Sequence, residues 1–260
     1  MTDFLYGHWA VMESLRAGRR SFEQLLVAEN TEEKGFTGEI MATAGERGVR
    51  IRRVPRRILD DLSNGANHQG MVLRAGDYPY SSVDDMLALA KEREEKPFLL
   101  LLDLLKDPQN VGSLIRVSDA VGIHGIILQE RRGVGVTSAV VNASSGAVEH
   151  LKVAQVTNLV QTMKELKEKD VWLVGLDIGP SVPTLDKTDL NIPIGLVLGS
   201  EGEGMRRLVR DTCDILVCLP MRGRVGSLNV ATVGSVALYS AWQARGWPGW
   251  GAPKPPAKPS

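Results

Sequence analysis

The chain has 260 residues, of which 43% are hydrophobic and 24% are charged, and its 31 basic side chains balance its 31 acidic ones. This composition is typical of a folded globular protein and excludes wholesale disorder. No apolar run approaches the ~20 residues of a membrane helix, and the first residues do not resemble a signal peptide, so we expect no membrane segment. Zero net charge argues weakly against a protein that binds polyanions over its whole surface.

Cysteine and histidine usage narrows the possible chemistry. Cys213 and Cys218 are too few for a disulfide framework or a zinc site, which favours a reducing, cytoplasmic setting. The histidines are scattered, at His8, His68, His124 and His150. We therefore predict no metal site. A Ser–His–Asp hydrolase is disfavoured, since Ser227 also lacks the G-x-S-x-G context of a nucleophile.

Residues 1–76 alternate helical and extended patterns, which predicts a small α/β domain with a marginal core of its own. One helical face carries Trp9, Val11, Met12 and Leu15 and ends at Gly18. Strands are predicted at Leu25–Ala28, Val49–Val54 and Met71–Arg74.

An arginine run, ERGVRIRRVPRR at 46–57, lies inside this small domain, with six arginines against one glutamate. A strand here would direct some of Arg50, Arg52 and Arg53 outward. These side chains could form a solvated basic edge strand or contact the phosphates of a nucleic acid. From the run alone the two interpretations are about equally supported.

Two segments lack the pattern of a core. Residues 77–96 include SSVDDMLALAKEREEK, with five acids against three bases, and are predicted to form a partly helical linker. The proline-rich tail at 248–260 cannot bury a core and is predicted to be disordered.

Residues 97–247 form a longer α/β alternation. The short, wholly apolar strands are typical of a parallel sheet covered on both faces. Helices are predicted at Ser113–Val121, Asn158–Glu168 and Ser227–Ala244. The strands are predicted at Phe98–Leu104, Gly125–Leu128, Leu151–Val156, Val171–Gly175, Ile194–Leu198 and Ile215–Leu219.

Three strand ends in this domain carry small and polar residues, where ligands of open α/β sheets bind. They are DLLKDPQNVGSLIR (103–116), LGSEGEGM (198–205) and LPMRGRVGSLN (219–229). The glycines of the second loop allow a tight turn and close backbone approach, yet match neither a P-loop nor a dinucleotide fingerprint. VGLDIGPS (174–181) resembles a nucleotide-binding turn only faintly, lacks further glycines and is assigned no role.

Five polar residues of these loops could form one site. Singly, each is better explained structurally: Asn110 and Ser227 as helix caps, Arg116 as a solvated or salt-bridged side chain, and Glu201 as a cap near Gly204. Together they offer a carboxylate, a guanidinium, a hydroxyl and two amides. The set is Asn110, Arg116, Glu201, Ser227 and Asn229.

The three loops together resemble the three motifs of the SpoU/TrmH family, the 2′-O-ribose RNA methyltransferases of the knotted SPOUT class. The matching segments are NVGSLIR (110–116), LVLGSEGEGM (196–205) and LPMRGRVGSLNVA (219–231), with NASSGAVEHLKVAQVTNL (142–159) resembling the middle section. FLYGHWAVMESLRAG (4–18) and NHQGMVLRA (67–75) resemble the small RNA-binding module, related to ribosomal protein L30, of RlmB-type enzymes. This resemblance favours RNA-phosphate contacts by Arg50, Arg52 and Arg53 over a merely solvated edge strand.

This resemblance implies a C-terminal trefoil knot, which general topology rules would have rejected. It also implies a homodimer with sites close to the dimer interface, and S-adenosylmethionine bound in a bent form against the backbone of Gly199, Leu219 and Leu228. The five polar residues fall on catalytic or substrate-ordering positions. No role is assigned to Arg222 and Arg224.

The implied reaction is methylation of a ribose, expected to be guanosine, in large-subunit ribosomal RNA. The family proposal makes Arg116 the general base, but a guanidinium is permanently protonated. In our alternative Arg116 stays charged, binds an RNA phosphate, and stabilises the negative charge that develops on the 2′-oxygen. Transfer RNA, a ribosomal resistance site, or a non-catalytic RNA-binding or ribosome-assembly role stay open. We expect no DNA or membrane partner.

Overall fold

The computed structural model describes residues 2–179, 182–224 and 226–251. Within them the chain divides into two compact units, one of residues 2–79 with 136–150 and one of residues 80–135 with 151–251. The chain therefore passes between the units three times. No helix in these described ranges is long and apolar enough to cross a membrane.

The first unit is built on a four-stranded mixed sheet with the order β1-β4-β2-β3. Its strands β2 and β3 are parallel, and β4 runs antiparallel to both β1 and β2. The strands are β1 (Thr2–Tyr6), β2 (Phe22–Ala28), β3 (Arg50–Val54) and β4 (Met71–Gly76), and the helices are α1 (His8–Ala17), α2 (Gly35–Glu46) and α3 (Arg56–Leu62).

The predicted helix and three predicted strands of this unit are confirmed, whereas β1, α2 and α3 have no counterpart in the sequence prediction. Helix α2 contains three glycines and has no side-chain N-cap, so its intrinsic propensity is poor. Burial of Ile40 and Ala44 holds it in place. The grouping of Trp9 with Val11, Met12 and Leu15 on one helical face was wrong: those three are buried, whereas Trp9 is 55% exposed, with its ring centre 4.5 Å from that of Phe36.

Residues 136–150 join the first unit through α6 (Ser138–Ala143) and a 3₁₀ turn at Ala147–His150. A buried ion pair holds this segment, since the guanidinium of Arg20 lies 2.8 Å from the carboxylate of Glu149 and both side chains are fully buried. Arg20 also pairs with Asp3 at 2.9 Å. The Tyr78 hydroxyl donates to the Val148 carbonyl, and burial raises the pKa of Tyr78 to about 12.

The second unit confirms the predicted parallel α/β fold. Its six-stranded sheet has the order β10-β8-β9-β5-β6-β7, and every pairing is parallel. The strands are β5 (Phe98–Asp103), β6 (Gly125–Gln129), β7 (Val153–Val156), β8 (Trp172–Leu176), β9 (Ile194–Gly199) and β10 (Ile215–Val217). The helices are α4 (Val83–Glu92), α5 (Pro108–Ala120), α7 (Leu159–Lys167), α8 (Arg207–Thr212) and α9 (Val230–Ala244).

Helix α4 lies in the acidic segment predicted as a linker. A capping box between Ser82 and Asp85 begins it. Met86 is fully buried in the apolar cluster beside Leu99 and Ile127, so the segment packs as part of the second unit. The trefoil knot stays a prediction. In the predicted tail, the Pro248 carbonyl accepts a hydrogen bond from the Trp242 indole, and residues 252–260 lie outside the described part of the chain.

Candidate functional site

The loops after β5 and β9 begin side by side, at the carboxyl ends of two central strands. These strands pair in parallel, with Asp103 opposite Gly199 at the end of the ladder. Ligands of open parallel sheets bind beyond this edge. The structure therefore brings together the first two predicted loops, at 103–116 and 198–205.

Three of the five predicted catalytic residues form a closed triangle of side-chain hydrogen bonds. Asn110 Nδ2 donates to Glu201 Oε1 over 2.8 Å. Asn229 Nδ2 donates to Glu201 Oε1 over 2.6 Å and to Asn110 Oδ1 over 2.9 Å. One residue comes from each of the three loops, so the triangle ties all three loops together.

The start of α9 sets the orientation of both amides. Asn229 Oδ1 accepts the backbone N–H groups of Ala231 (2.9 Å) and Thr232 (3.3 Å), which makes it the N-cap. The two hydrogens on its Nδ2 are then left for Asn110 and Glu201. Because Asn110 Oδ1 serves as an acceptor, its own Nδ2 turns towards Glu201. The helix cap therefore specifies every donor and acceptor in the triangle.

The carboxylate of Glu201 keeps one oxygen available. Both amides donate to Oε1, and Oε2 accepts no hydrogen bond from any residue that the structure describes. A carboxylate can accept about four hydrogen bonds. Glu201 is exposed whereas Asn110 is only 8% exposed, so the triangle has a buried base and an open side. The open side can receive a hydroxyl group.

The other two predicted catalytic residues lie outside the triangle. Ser227 is exposed, and its prediction as the cap of the last helix was wrong because Asn229 is the cap. Arg116 is exposed on α5, six residues after Asn110. Six residues correspond to roughly 9 Å along the axis and a rotation of about 240°, so Arg116 lies on a different face from Asn110.

A cavity of about 550 Å³ adjoins the triangle, beyond the carboxyl ends of β8 and β9. Its volume is within the range of small-molecule sites, roughly 300–1,000 Å³. Gly199, Leu219 and Leu228, the residues predicted to hold the cofactor, all line it. Glu201 and Asn229 also line it, so the triangle forms part of its wall.

The turn after β9 requires glycine. A Cβ on Gly199 would overlap the backbone of Gly204 and Met205. Two backbone hydrogen bonds between Ser200 and Gly204, of 3.1 and 2.9 Å, close the turn. Gly202 and Gly204 have φ values of 80° and 70°, which favour glycine. This closed turn presents Glu201 at its tip.

Sequence reasoning missed a buried clamp behind this turn. The Asp103 side chain, at the end of β5, is fully buried. It accepts the Arg206 backbone N–H over 2.8 Å and pairs with the Arg206 guanidinium at 2.7 Å. An acid ending an apolar strand must be partnered when buried, and that was the available signal. The clamp fixes the end of the 199–205 turn.

The assignment of no role to residues 174–181 was also incomplete. Leu176, Asp177 and Ile178 line the same cavity as Gly199. They follow β8, which lies next to β9 in the parallel sheet. The rule that ligands bind beyond strand ends could have found them.

The predicted RNA-contacting arginines divide between two faces of β3, the edge strand of the first unit. Arg53 donates to the carbonyls of Glu29 (2.9 Å) and Thr31 (3.1 Å) and pairs with Glu33 at 2.6 Å, so it holds its own loop. Arg50 and Arg52 are exposed and form no ion pair with described residues. Their contact with RNA stays a prediction.

Family models match both parts of the chain. Residues 97–239 match the SpoU rRNA methylase family, and residues 4–81 match a domain described as RNA 2′-O ribose methyltransferase substrate binding. Over 243 residues the chain is 44% identical to YacO of Bacillus subtilis, named as a TrmH family tRNA/rRNA methyltransferase, covering 94% of this chain and 96% of that protein. A Staphylococcus saprophyticus protein named for the same family is 36% identical, with coverages of 94% and 97%.

Solved structures share the fold. AviRb, a SpoU methyltransferase from Streptomyces viridochromogenes solved with AdoMet, superposes with a TM-score of 0.77 at 23% identity, covering 94% of this chain and 90% of that one. An AdoMet-bound rRNA methyltransferase from Sinorhizobium meliloti gives 0.74 at 22% identity, covering 93% and 87%. Given the match of residues 97–239 to the family model and the 44% identity to YacO, the chain belongs to the SpoU/TrmH family of RNA methyltransferases.

Proposed function

We propose that this protein transfers a methyl group from S-adenosylmethionine to a ribose 2′-hydroxyl in RNA, with guanosine of large-subunit ribosomal RNA as the substrate. The observation that carries the proposal is the triangle of Asn110, Glu201 and Asn229 in the wall of a ligand-sized cavity. It places an oriented carboxylate beside a site that can hold a small molecule.

The cavity suits the proposed cofactor. The backbone of the Gly199 turn lines the cavity, and Leu219 and Leu228 supply apolar walls for an adenosine. When bound, S-adenosylmethionine supplies an electrophilic methyl group on a sulfonium that leaves readily. The protein's task is therefore to orient the hydroxyl in line and to assist the transfer of its proton to an RNA phosphate or to water.

Glu201 and its two amide partners can perform that task. With Oε1 occupied by the amides of Asn110 and Asn229, Oε2 is the acceptor that a ribose hydroxyl can reach. The amides hold the carboxylate in one orientation and limit its motion during the reaction. Ser227 shapes the adjoining loop against cofactor and nucleotide.

Arg116 remains protonated in this proposal and stabilises negative charge on the 2′-oxygen or an RNA phosphate. The protein acts as a homodimer with its sites close to the interface, and the exposed Arg116 serves the neighbouring protomer. Mixing inactive Arg116→Ala and Asn110→Ala proteins should then restore part of the activity. Arg116→Lys tests the competing hypothesis that Arg116 is the general base, because retention of most of the methyl-transfer rate would contradict a strict role as base.

The choice of ribosomal RNA draws on the description of the matched family. Transfer RNA is the second candidate, since the relatives are named for tRNA and rRNA alike. The test is labelled methyl transfer onto purified ribosomal and transfer RNA, followed by mapping of the 2′-O-methyl position. Label in a large-subunit guanosine supports the proposal, and label only in transfer RNA overturns that substrate.

A non-catalytic RNA-binding role is the alternative of a different class. Calorimetric titration with S-adenosylmethionine separates the two, because a protein that only binds RNA needs no cofactor. Saturable binding that is weakened by Leu228→Ala supports the enzyme, because Leu228 lines the cavity and is exposed, so the change leaves the core intact. Absence of binding overturns it.

A further inference from the structure

The sheet of the first unit carries a row of aromatic and basic side chains across one face. Strand pairing sets Phe4 opposite Arg74, Arg74 opposite Gln24, and Gln24 opposite Arg50. Directly opposed residues project from the same face, so these side chains form one row roughly 14 Å long across four strands. A second row on that face consists of Tyr6, Val72, Leu26 and Arg52.

Helix α3 covers only part of this face. Leu59 is buried against Val54 and Val72, and Tyr6 and Phe4 pack at the rim of that cluster. Arg50, Arg52 and Arg74 remain exposed. Arg74 pairs with Glu23 at 3.0 Å, but both side chains are nearly half exposed, and such pairs are weak.

A pocket of about 500 Å³ lies where the two rows reach β1. Phe4 and Tyr6 line it, together with Leu62, Asn64 and Ser138 of the same unit. The side chains of Tyr6, Asn64 and Ser138 make no hydrogen bond to any residue in the described ranges. The pocket therefore combines two aromatic rings with uncommitted amide and hydroxyl groups.

The carboxylate of Asp3 also lines the pocket, and its charge is already balanced. Arg20, whose side chain is fully buried, pairs with it at 2.9 Å. Of the exposed arginines on this face, Arg74 lies directly opposite Phe4 of the pocket, and Arg50 and Arg52 continue the two rows to β3, so the face offers cations to an anionic polymer that extends from the pocket.

An unstacked nucleobase meets these features together. Its faces stack on aromatic rings, its edge bonds to amide and hydroxyl groups, and its backbone carries phosphates for arginine. We propose that the pocket takes one unpaired base of the RNA substrate, while Arg74, Arg50 and Arg52 hold the phosphates of the nucleotides beside it. This inference rests on the proposed function and specifies that the first unit reads a single-stranded segment.

The test uses the full chain and a short single-stranded RNA carrying one 2-aminopurine. Stacking on the rings should quench the fluorescence of this base. Tyr6→Leu and Phe4→Leu keep apolar bulk but remove a ring, and each should weaken binding about tenfold and abolish most of the quenching. Phe36→Leu is the matched control: it removes a ring from α2, outside the pocket, and should change neither quantity.

Asn64→Gly supplies a variant that spares the fold. Asn64 has φ of 52°, a conformation that glycine adopts freely, so the substitution removes the amide without straining the backbone. We expect binding to weaken about threefold. The same RNA annealed to its complement should be insensitive to the three pocket variants.

The two proposals fail in different ways. Equal binding and quenching by the native chain and the Tyr6, Phe4 and Asn64 variants would overturn the base pocket, whatever the activity. A uniform loss for Phe36→Leu as well would also overturn it. Failure to bind S-adenosylmethionine overturns the methyltransferase proposal and leaves the RNA result to be judged on its own.

Discussion

The polar side chains of the two proposed sites, one in each unit, are arranged in opposite ways. In the second unit, Asn110, Glu201 and Asn229 bond to one another and to the start of α9, so their geometry is set before any ligand arrives. In the first, Arg50 and Arg52 extend from an edge strand without ion pairs to described residues. The contrast matches the two proposed tasks: chemistry requires fixed groups, and recognition of a flexible strand requires groups that can still adjust.

The largest effect should come from removing the charge at the centre of the fixed network. Glu201→Gln keeps the size of the side chain but replaces a charged acceptor, so the turnover rate should fall about 100-fold or more. Cofactor affinity should change little. Single-turnover methyl transfer and calorimetry measure the two separately.

The control for that change is Glu203→Gln, which removes the same charge from the same turn without bonding to the triangle; because Glu203 also lines the cavity, this variant is assayed at saturating cofactor. It should retain turnover within about threefold. If both variants lose activity equally, the net charge of the turn matters and the oriented carboxylate does not.

Acid should destabilise the second unit through His124. Burial, with Arg93 and Arg245 nearby, lowers the pKa of His124 from 6.5 to about 4. Above pH 6.5 the imidazole of His124 is neutral in both the folded and the unfolded chain, so its full contribution to the free energy of unfolding is present. As the pH falls towards 4, the unfolded state gains a proton that the native state refuses, and up to roughly 3 kcal/mol of stability is lost.

Denaturant unfolding of the native chain and of His124→Gln, repeated between pH 7 and 4, checks this. The variant should have a shallower pH dependence, whatever its stability at neutral pH. Parallel curves would show that the acid sensitivity lies elsewhere.

An intermediate effect is expected at the clamp behind the glycine turn. Asp103→Asn weakens the bonds to Arg206, so we expect a loss of about 2 kcal/mol in stability and roughly tenfold in cofactor affinity. Asp211→Asn is the control, because it breaks the exposed Arg207–Asp211 pair on α8. Unchanged cofactor binding by Asp103→Asn would show that the clamp does not shape the cofactor cavity.

The smallest effects are expected for the exposed arginines of β3. Arg50→Gln and Arg52→Gln should each weaken RNA binding about threefold and reduce the salt dependence of log affinity by roughly 0.7–0.9. Lys164→Gln removes an exposed charge from α7 in the other unit and should not reduce that slope. An equal slope for all four proteins argues against phosphate contacts by β3.

The same contrast explains what could be predicted from the sequence. Wholly apolar runs such as Phe98–Leu102 identify buried parallel strands, and the loops after them follow directly. For the Asp103–Arg206 clamp, an acid at the end of an apolar strand indicates that Asp103 needs a partner, but nothing local identifies Arg206, which is 103 residues away. Helix α2 was missed because burial of Ile40, rather than local propensity, stabilises it. The face occupied by Trp9 depends on Phe36, which local spacing does not show.

Because Asn229 caps α9 and also orients the triangle, the chemistry proposed for the triangle depends on the stability of a single helical turn. When that turn frays, Asn229 Oδ1 loses its backbone donors and the amide can rotate. The orientations of Asn110 and Glu201 are then no longer fixed. Heating should therefore abolish methyl transfer through a local, reversible opening of the first turn of α9, at temperatures below that of global unfolding. Thermal inactivation would then measure the first turn of α9, and substitutions that strengthen this turn would extend the working temperature without altering any group that contacts the substrate.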